Sequence, residues 1–485
     1  MTLILNRRHI RSPFFVFAFL SLAVTAAQNR SGQKILATVD GKVITVEEFK
    51  QRSEFIPRPI PFEDKNTTLN NLISEKLLAI EAERHKLPLS REMLDNIRGI
   101  KEQKMREELY YAEAYDKVEL DINNVKNACR LSQREYTVEY CTISSGKLAR
   151  AMKTVKNQLP QFSDSLFLAE EKTLNRKPVH DVKFDDPDDD AIHDALFAKL
   201  LNVGTVVGPI KLSDGQHILI KVTNWADHPI LGGEDEVVRW NEVQSKLHRI
   251  EGDKLWRAYE SKVMRGKKLD FNRETFEVLS NWAMEKYLSR QDSTRFRISE
   301  IPVRPNIDLD SPFFTLDKKV WTVGDFRDEV MSHPLVFRNT DADSTNFKRQ
   351  FELAVVDLMR DHFLTRNAYR EHLDTTADAR ISEEMWKDSF MSGYEAKSIM
   401  DAALDKGLIK ESDNLGKIKF WDAYLDSLQG VYSDSIRINC NEFKKINLTH
   451  VDMVAWQPQN PYPLVVPNFP ALIASGDLRY AEREK

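Results

Sequence analysis

The stretch from Leu201 to Val222 restricts the fold of this 485-residue chain more than any other. An apolar helix end (Ala195, Phe197, Ala198, Leu200, Leu201) runs into Gly204. Val206, Val207 and Gly208-Pro209 follow, then a short strand, the turn Ser213-Asp214-Gly215 and a second strand over 217–222. Gly204 and Gly208 suit positions that need positive φ, and Pro209 fixes the entry to the next strand. Asp214-Gly215 between two apolar runs signals a hairpin.

This run resembles the end of the parvulin-type (PpiC) peptidyl-prolyl isomerase domain, where a "vGxvsGPixtxxGyHIixv" pattern closes a small sheet. On that resemblance residues 134–226 form the domain. Its first strand covers 136–143, its first helix 147–159, and a helix over 190–201 precedes the closing hairpin. The acidic run 185–190 lacks the spaced ligands and turn glycine of a calcium loop. It reads as a solvated loop that supplies a helix N-terminus with negative charge.

So long a chain holds two to four domains. Charged residues make up 30% and Gly and Pro are scarce, which favours helix-rich domains. The net charge of −5 comes with no basic block, so nothing points to nucleic acid, and no nucleotide motif is present. Arg7, Arg8 and Arg11 precede an apolar run over 14–27 that ends in small residues. This reads as a signal peptide over 1–27, short of the ~20 apolar residues a membrane span needs. Export to the periplasm or cell envelope is the expectation; an uncleaved segment would instead tether the chain peripherally to the membrane. Cys129, Cys141 and Cys440 allow at most one disulfide, suit no metal site, and read as small buried residues.

Residues 35–49 read as a hairpin turning at Asp40-Gly41, then a helix capped by Thr45 with Glu48 three residues on. A helix from 66–68 places Leu69, Leu72, Ile73, Leu77 and Ile80 on one face, and a second long helix covers 90–117. The order "vdGkvIt..Ef…LnnLIsekLLaiEA" resembles the N-terminal chaperone region of SurA- and PrsA-like exported foldases.

The second half repeats the plan. The segment at 314–326, FTLDKKVWTVGDF, aligns with ATVDGKVITVEEF, and the helix at 346–372 answers the one at 67–86. Trp421-Asp422-Ala423-Tyr424 with IRINCNEFKKI mirrors Trp256-Arg257-Ala258-Tyr259 with LDFNRETFEVL. Two landmarks recurring in one order read as a duplication.

The expected fold class is therefore α+β, mostly helical, with two duplicated SurA-N-like modules and a parvulin-like α/β domain inserted in the first. The divisions are a signal peptide (1–27), the first part of module 1 (28–133), the parvulin-like domain (134–226), the returning helices of module 1 (227–300), a second module (310–450) and an irregular tail (451–485). Residues 36–130 are expected to pack with 234–280, and 314–375 with 421–446.

Parvulins, as the resemblance implies, surround a proline with two histidines, a Cys or Asp, and an apolar floor. Twisting the amide weakens its resonance, and a shaped apolar pocket favours the twisted form. His217 matches the closing-strand histidine, and Phe197 the phenylalanine before the glycine turn. The first-strand histidine falls on Tyr140 or Cys141, and the "GGdLG" segment is absent, with 178–184 in its place. His217 serves as readily as a structural histidine, and Tyr140 and Phe197 as core. The function expected is an ATP-independent chaperone of the envelope that holds unfolded exported polypeptides, its insert a weak or inactive isomerase. No cofactor or metal is called for. An active isomerase and a structural subunit of an envelope complex stay open. The apolar helices at 67–86 and 346–372 are the candidate client surfaces wherever packing leaves them uncovered.

Overall fold

The computed structural model describes residues 34–55, 65–143, 146, 148, 159–171, 178–186, 189–212, 217–229, 232–288, 308–338, 344–448, 457 and 460–469. The proposed leader, the turn at 213–215 and most of the helix expected at 147–159 lie outside them. The described residues divide into two compact units: a smaller one within 111–259, and a larger one that combines those of 34–110 with those from 260 onward.

In chain order the larger unit begins with strands β1 (Ile35–Val39) and β2 (Lys42–Thr45) and helices α1 (Val46–Glu54), α2 (Lys65–Arg84) and α3 (Arg91–Glu113). The smaller unit carries α4 (Ile122–Leu131), β3 (Arg134–Ile143), α5 (Leu159–Glu171), β4 (Val179–Val182), α6 (Asp190–Phe197), β5 (Val206–Lys211), β6 (His217–Asp227) and most of α7 (Gly233–Met264). The chain then adds β7 (Asp270–Phe271), α8 (Arg273–Leu288), β8 (Pro312–Leu316), β9 (Lys319–Thr322), α9 (Val323–Ser332) and α10 (Phe347–Arg370) to the larger unit. It closes with α11 (Ala377–Asp405), α12 (Asn414–Val431), β10 (Ile436–Ile438) and α13 (Cys440–Lys445). Helices predominate and the sheets are small and antiparallel, so the α+β, mostly helical class holds.

The two strand–turn–helix landmarks form as their residues dictate. Asp40 and Gly41 turn the β1–β2 hairpin with φ of 46° and 89°, and Asp317 and Lys318 turn β8–β9 at 48° and 64°. Positive φ at both central positions matches the twist of the paired strands. Thr45 then caps α1 by accepting from the Glu48 backbone N–H at 3.0 Å. Thr322 and Asp325 form a reciprocal capping box on α9.

The third strand of each small sheet is not the one the sequence order suggests. Strand β1 pairs with β10, placing Thr38 opposite Arg437 and Ala37 opposite Ile438. Strand β8 pairs with β7, placing Asp270 opposite Thr315 and Phe271 opposite Phe314. The expected packing of 36–130 with 234–280 holds where Tyr115 and Val125 meet His248 and Val243 of α7. The hairpins themselves, expected to close on 234–280 and 421–446 in that order, exchange their closing segments.

Side-chain shape accounts for the exchange. Phe271 and Phe276 enter a core of Phe313, Phe314, Phe326 and Phe351, with Phe271 at 5.6 Å from Phe313 and Phe276 at 5.8 Å from Phe351. Ile436 and Ile438 enter an aliphatic core of Leu36, Ala37, Val39 and Ile44, where Phe443 meets Phe49 edge-on at 5.7 Å. Aromatic strands take the aromatic partner and aliphatic strands the aliphatic one, which keeps both cores filled.

Helix α2 lies at the centre of the aliphatic half. Its residues from Thr67 through Ile80 are all buried, polar ones included. Arg52 meets Glu75 through two parallel bonds of 2.9 and 2.7 Å, with both side chains 0% exposed. Lys76 bonds Glu48 at 2.9 Å and Asp388 at 3.1 Å, and Asp388 also holds Lys42 at 2.8 Å. Burial pushes the Glu75 carboxyl above its ordinary value against the pull of Arg52. Burial opposes the charge on Lys76, but Glu48 and Asp388 outweigh it and hold the amine above the ordinary lysine value.

Candidate functional site

In the smaller unit the sheet runs β4-β3-β6-β5. Gly204 and Gly208 have φ of +88° and +111°, as the turn and the close approach of chains require. At Gly208 a Cβ would stand 2.7 Å from the Ile218 carbonyl oxygen, so the hairpin admits no side chain there. Asp189 caps α6 by accepting from the Ala191 N–H at 2.9 Å. Asp185 and Asp190 pair with Arg239 and Arg249 of α7 at 2.8 and 2.7 Å. The described part of the acidic run therefore starts a helix and binds α7.

Side chains alternate across a strand. On one face Tyr136, Val138, Tyr140, Ile218, Ile220 and Val222 pack against Leu196 and Phe197 of α6, Val125 of α4 and Val243 of α7. On the other face Cys141 and Leu219 pack against Phe167 of α5. His217 precedes Ile218, so it stands on the Leu219 face, opposite Ile143 in register. It is half-buried, and its Nδ1 is buried without a hydrogen-bond partner among the described residues.

The structure thus brings Tyr140 and Phe197 into one cluster and sets His217 on the far side of the sheet. Tyr140 is 3% exposed and Phe197 5%, so neither offers its ring to a substrate. The Phe197 ring lies 5.5 Å from Tyr136, 5.3 Å from Phe184 and 5.3 Å from His193.

His193 was not singled out from the sequence. It sits one helical turn before Phe197 and meets Phe184 edge-on at 4.5 Å. Both ring nitrogens are buried without hydrogen-bond partners among the described residues, and Asp194 stands off at 3.8 Å. Burial holds this imidazole below the ordinary histidine value, with Asp194 opposing the shift. An i, i+4 His–Phe pair on an apolar helix face was the available signal. Chemically the nest holds a neutral ring.

The two helices named as client surfaces are largely covered. Beyond α2, the α10 residues Phe347, Phe351, Val355, Leu358 and Met359 are all buried, so these stripes are core. The large apolar side chains left exposed include Leu408, Leu415, Ile418 and Val431 in the larger unit, and Val237, Val238 and Leu255 in the smaller. The three cysteines remain thiols, and Cys141 is buried. Among the described residues no cluster has the makings of a metal site, and no helix is long and apolar enough to cross a membrane.

No protein-family model matches the chain, and no curated protein matches it. Over 47% of its length the chain is similar to 94% of foldase protein PrsA from Streptococcus pneumoniae str. Canada MDR_19A, at 16% identity and a TM-score of 0.18. Over 47% of its length it is similar to 93% of foldase protein (PrsA) from Lactococcus lactis, at 14% identity and a TM-score of 0.17. Scores at this level establish no shared fold.

Proposed function

We propose that this protein is an ATP-independent chaperone that holds unfolded exported polypeptides, and that its parvulin-like unit, residues 134–226, has weak or no isomerase activity. One observation carries the reading: Tyr140 and Phe197 belong to a closed core, and His217 stands across the sheet from them. A prolyl isomerase accelerates its reaction by favouring the twisted amide, which requires those groups around one open pocket. Holding requires only surface that prefers the unfolded chain.

The repeated landmarks support a duplicated pair of helical modules with exchanged closing segments. Residues 1–27 are proposed as the export signal, with the periplasm or cell envelope as the destination. The Nδ1 of His217, unpartnered among the described residues, favours as a second reading residual isomerase activity on the opposite face.

Aggregation of a chemically denatured client, followed by light scattering after dilution without ATP, tests the proposal. Suppression at near-stoichiometric ratios is expected. Unaltered aggregation of several unrelated clients would sink the holding function.

A further inference from the structure

Residues 460–469, NPYPLVVPNF, lie against the larger unit without forming a helix or a sheet strand, and the way they are held resembles a bound peptide more than a core element. Gln103 of α3 donates from Nε2 to the Tyr462 carbonyl at 3.0 Å and accepts at Oε1 from the Tyr462 N–H at 3.0 Å. A side-chain amide that reads both backbone groups of one residue does what a neighbouring strand would do, whatever the sequence. Ser389 of α11 donates to the Asn468 carbonyl at 3.3 Å, a second backbone contact made by a side chain.

Between these points the side chains fill separate places. The Tyr462 ring is buried where α3 carries Gly99 and no side chain; a Cβ there would reach within 2.7 Å of ring atom Cε2. The Tyr462 hydroxyl donates to the Ser332 carbonyl at the end of α9, at 2.5 Å. Val466 is buried on Met385 of α11, and the Phe469 ring lies 4.2 Å under the Arg52 guanidinium. Pro461, Pro463 and Pro467 restrict the segment before it docks, so docking orders little that was free.

We propose that this groove is a client-binding site, occupied here by the chain's own tail. The partner it takes is an extended, unfolded polypeptide segment with an aromatic residue followed four positions later by a β-branched one. The inference rests on the chaperone reading and deepens it by naming where and how a client segment is gripped. A tethered tail competes at a high effective concentration, so the intact chain binds clients with an affinity reduced by the fraction of time the groove is open.

The test uses the full chain and a fluorescein-labelled peptide of sequence NPYPLVVPNF, with binding read by anisotropy. A release variant, Tyr462→Ala with Val466→Asp, should bind the peptide at least about tenfold more tightly than the wild type. Adding Gln103→Ala to the release variant should remove that gain. A peptide with Ser at its Tyr and second Val positions should bind neither. A folded release variant that fails to bind, or a wild type that binds equally well, overturns the proposal. So does peptide binding that appears only with dimer formation, which would assign the groove to the tail of a second copy.

A second measurement needs no release variant. Excess peptide should speed limited proteolysis of the wild-type tail, because it displaces that tail, and an unchanged cleavage rate overturns the proposal. Client aggregation measured on the same samples keeps the two ideas apart. Suppression without peptide binding rejects only the groove, and peptide binding without suppression rejects holding.

Discussion

Replacing Arg52 by methionine should unlock the centre of the larger unit. The guanidinium and the Glu75 carboxylate are both fully buried and joined by two short bonds, so removing one partner leaves a charge that water cannot reach. Lys76, the next cation, is already engaged by Glu48 and Asp388. Burial already pushes Glu75 upward with Arg52 in place, so the orphaned carboxyl would take up a proton and stay neutral. Breaking a buried pair in this way destabilises by about 3–5 kcal/mol. The lost guanidinium over Phe469 adds about 1 kcal/mol. Two compact units make global unfolding an unsafe two-state measure, so the readout is the opening free energy of the α2 amides by hydrogen exchange. The double variant Arg52→Met with Glu75→Leu removes both charges and should recover most of the loss, leaving it less disturbed than either single variant. A single-variant loss below about 1 kcal/mol, or strict additivity in the double variant, would refute the buried pair.

Three further outcomes follow from the fold. Thr38→Cys with Arg437→Cys should form a disulfide under mild oxidation, because those residues face each other across β1 and β10, whereas Thr38→Cys with Asp270→Cys should not; the reverse pattern, read on a non-reducing gel, would reject the exchange. Burial pushes Glu108 up to about 7 despite the 2.9 Å bond from Thr376, so its stabilising share is present at low pH and lost as pH rises through about 7. The opening free energy of the α3 amides by hydrogen exchange, followed between about pH 5 and about pH 8, should show that loss in the wild type and not in Glu108→Gln. His193 has its pKa lowered by burial, so the smaller unit should lose stability as pH falls below the ordinary histidine value of about 6.5. His193→Phe should flatten that acid limb, and an unchanged limb would place the titrating group elsewhere.

Local structure was readable where one residue type answers one backbone need. Asp40-Gly41, the Thr45 and Thr322 caps, and the glycines at 204 and 208 form the turns and helix starts expected of them. The partner of each hairpin was not readable by order alone. Loop closure grows only logarithmically with length, so the sequential and exchanged pairings differ by under about 1 kcal/mol. The deciding signal was the match of Phe271 with Phe313 and Phe314, against Ile436 and Ile438 with Leu36 and Val39. His217 and Tyr140 were separated for a different reason. The two-residue period sends His217 and Tyr140 to opposite faces, whereas Cys141, the other residue matched to the first-strand position, shares the Leu219 face with His217. Helix α2 hid its burial because Asn70, Ser74, Glu75 and Lys76 make it look amphipathic, yet they find partners inside, as Gln429 does with Asn70 and Ser74 at 2.7 and 2.9 Å.

We propose that this protein holds polypeptides and isomerises them weakly or not at all, and one purified sample decides it. Isomerisation of a proline tetrapeptide and suppression of client aggregation are measured side by side for the wild type and His217→Ala. Both should suppress aggregation, with an isomerisation rate within about tenfold of the spontaneous one, equivalent to no more than about 1.4 kcal/mol of transition-state stabilisation. Strong acceleration by the wild type that disappears in His217→Ala, with clients aggregating unhindered, would contradict it and make the smaller unit a working enzyme.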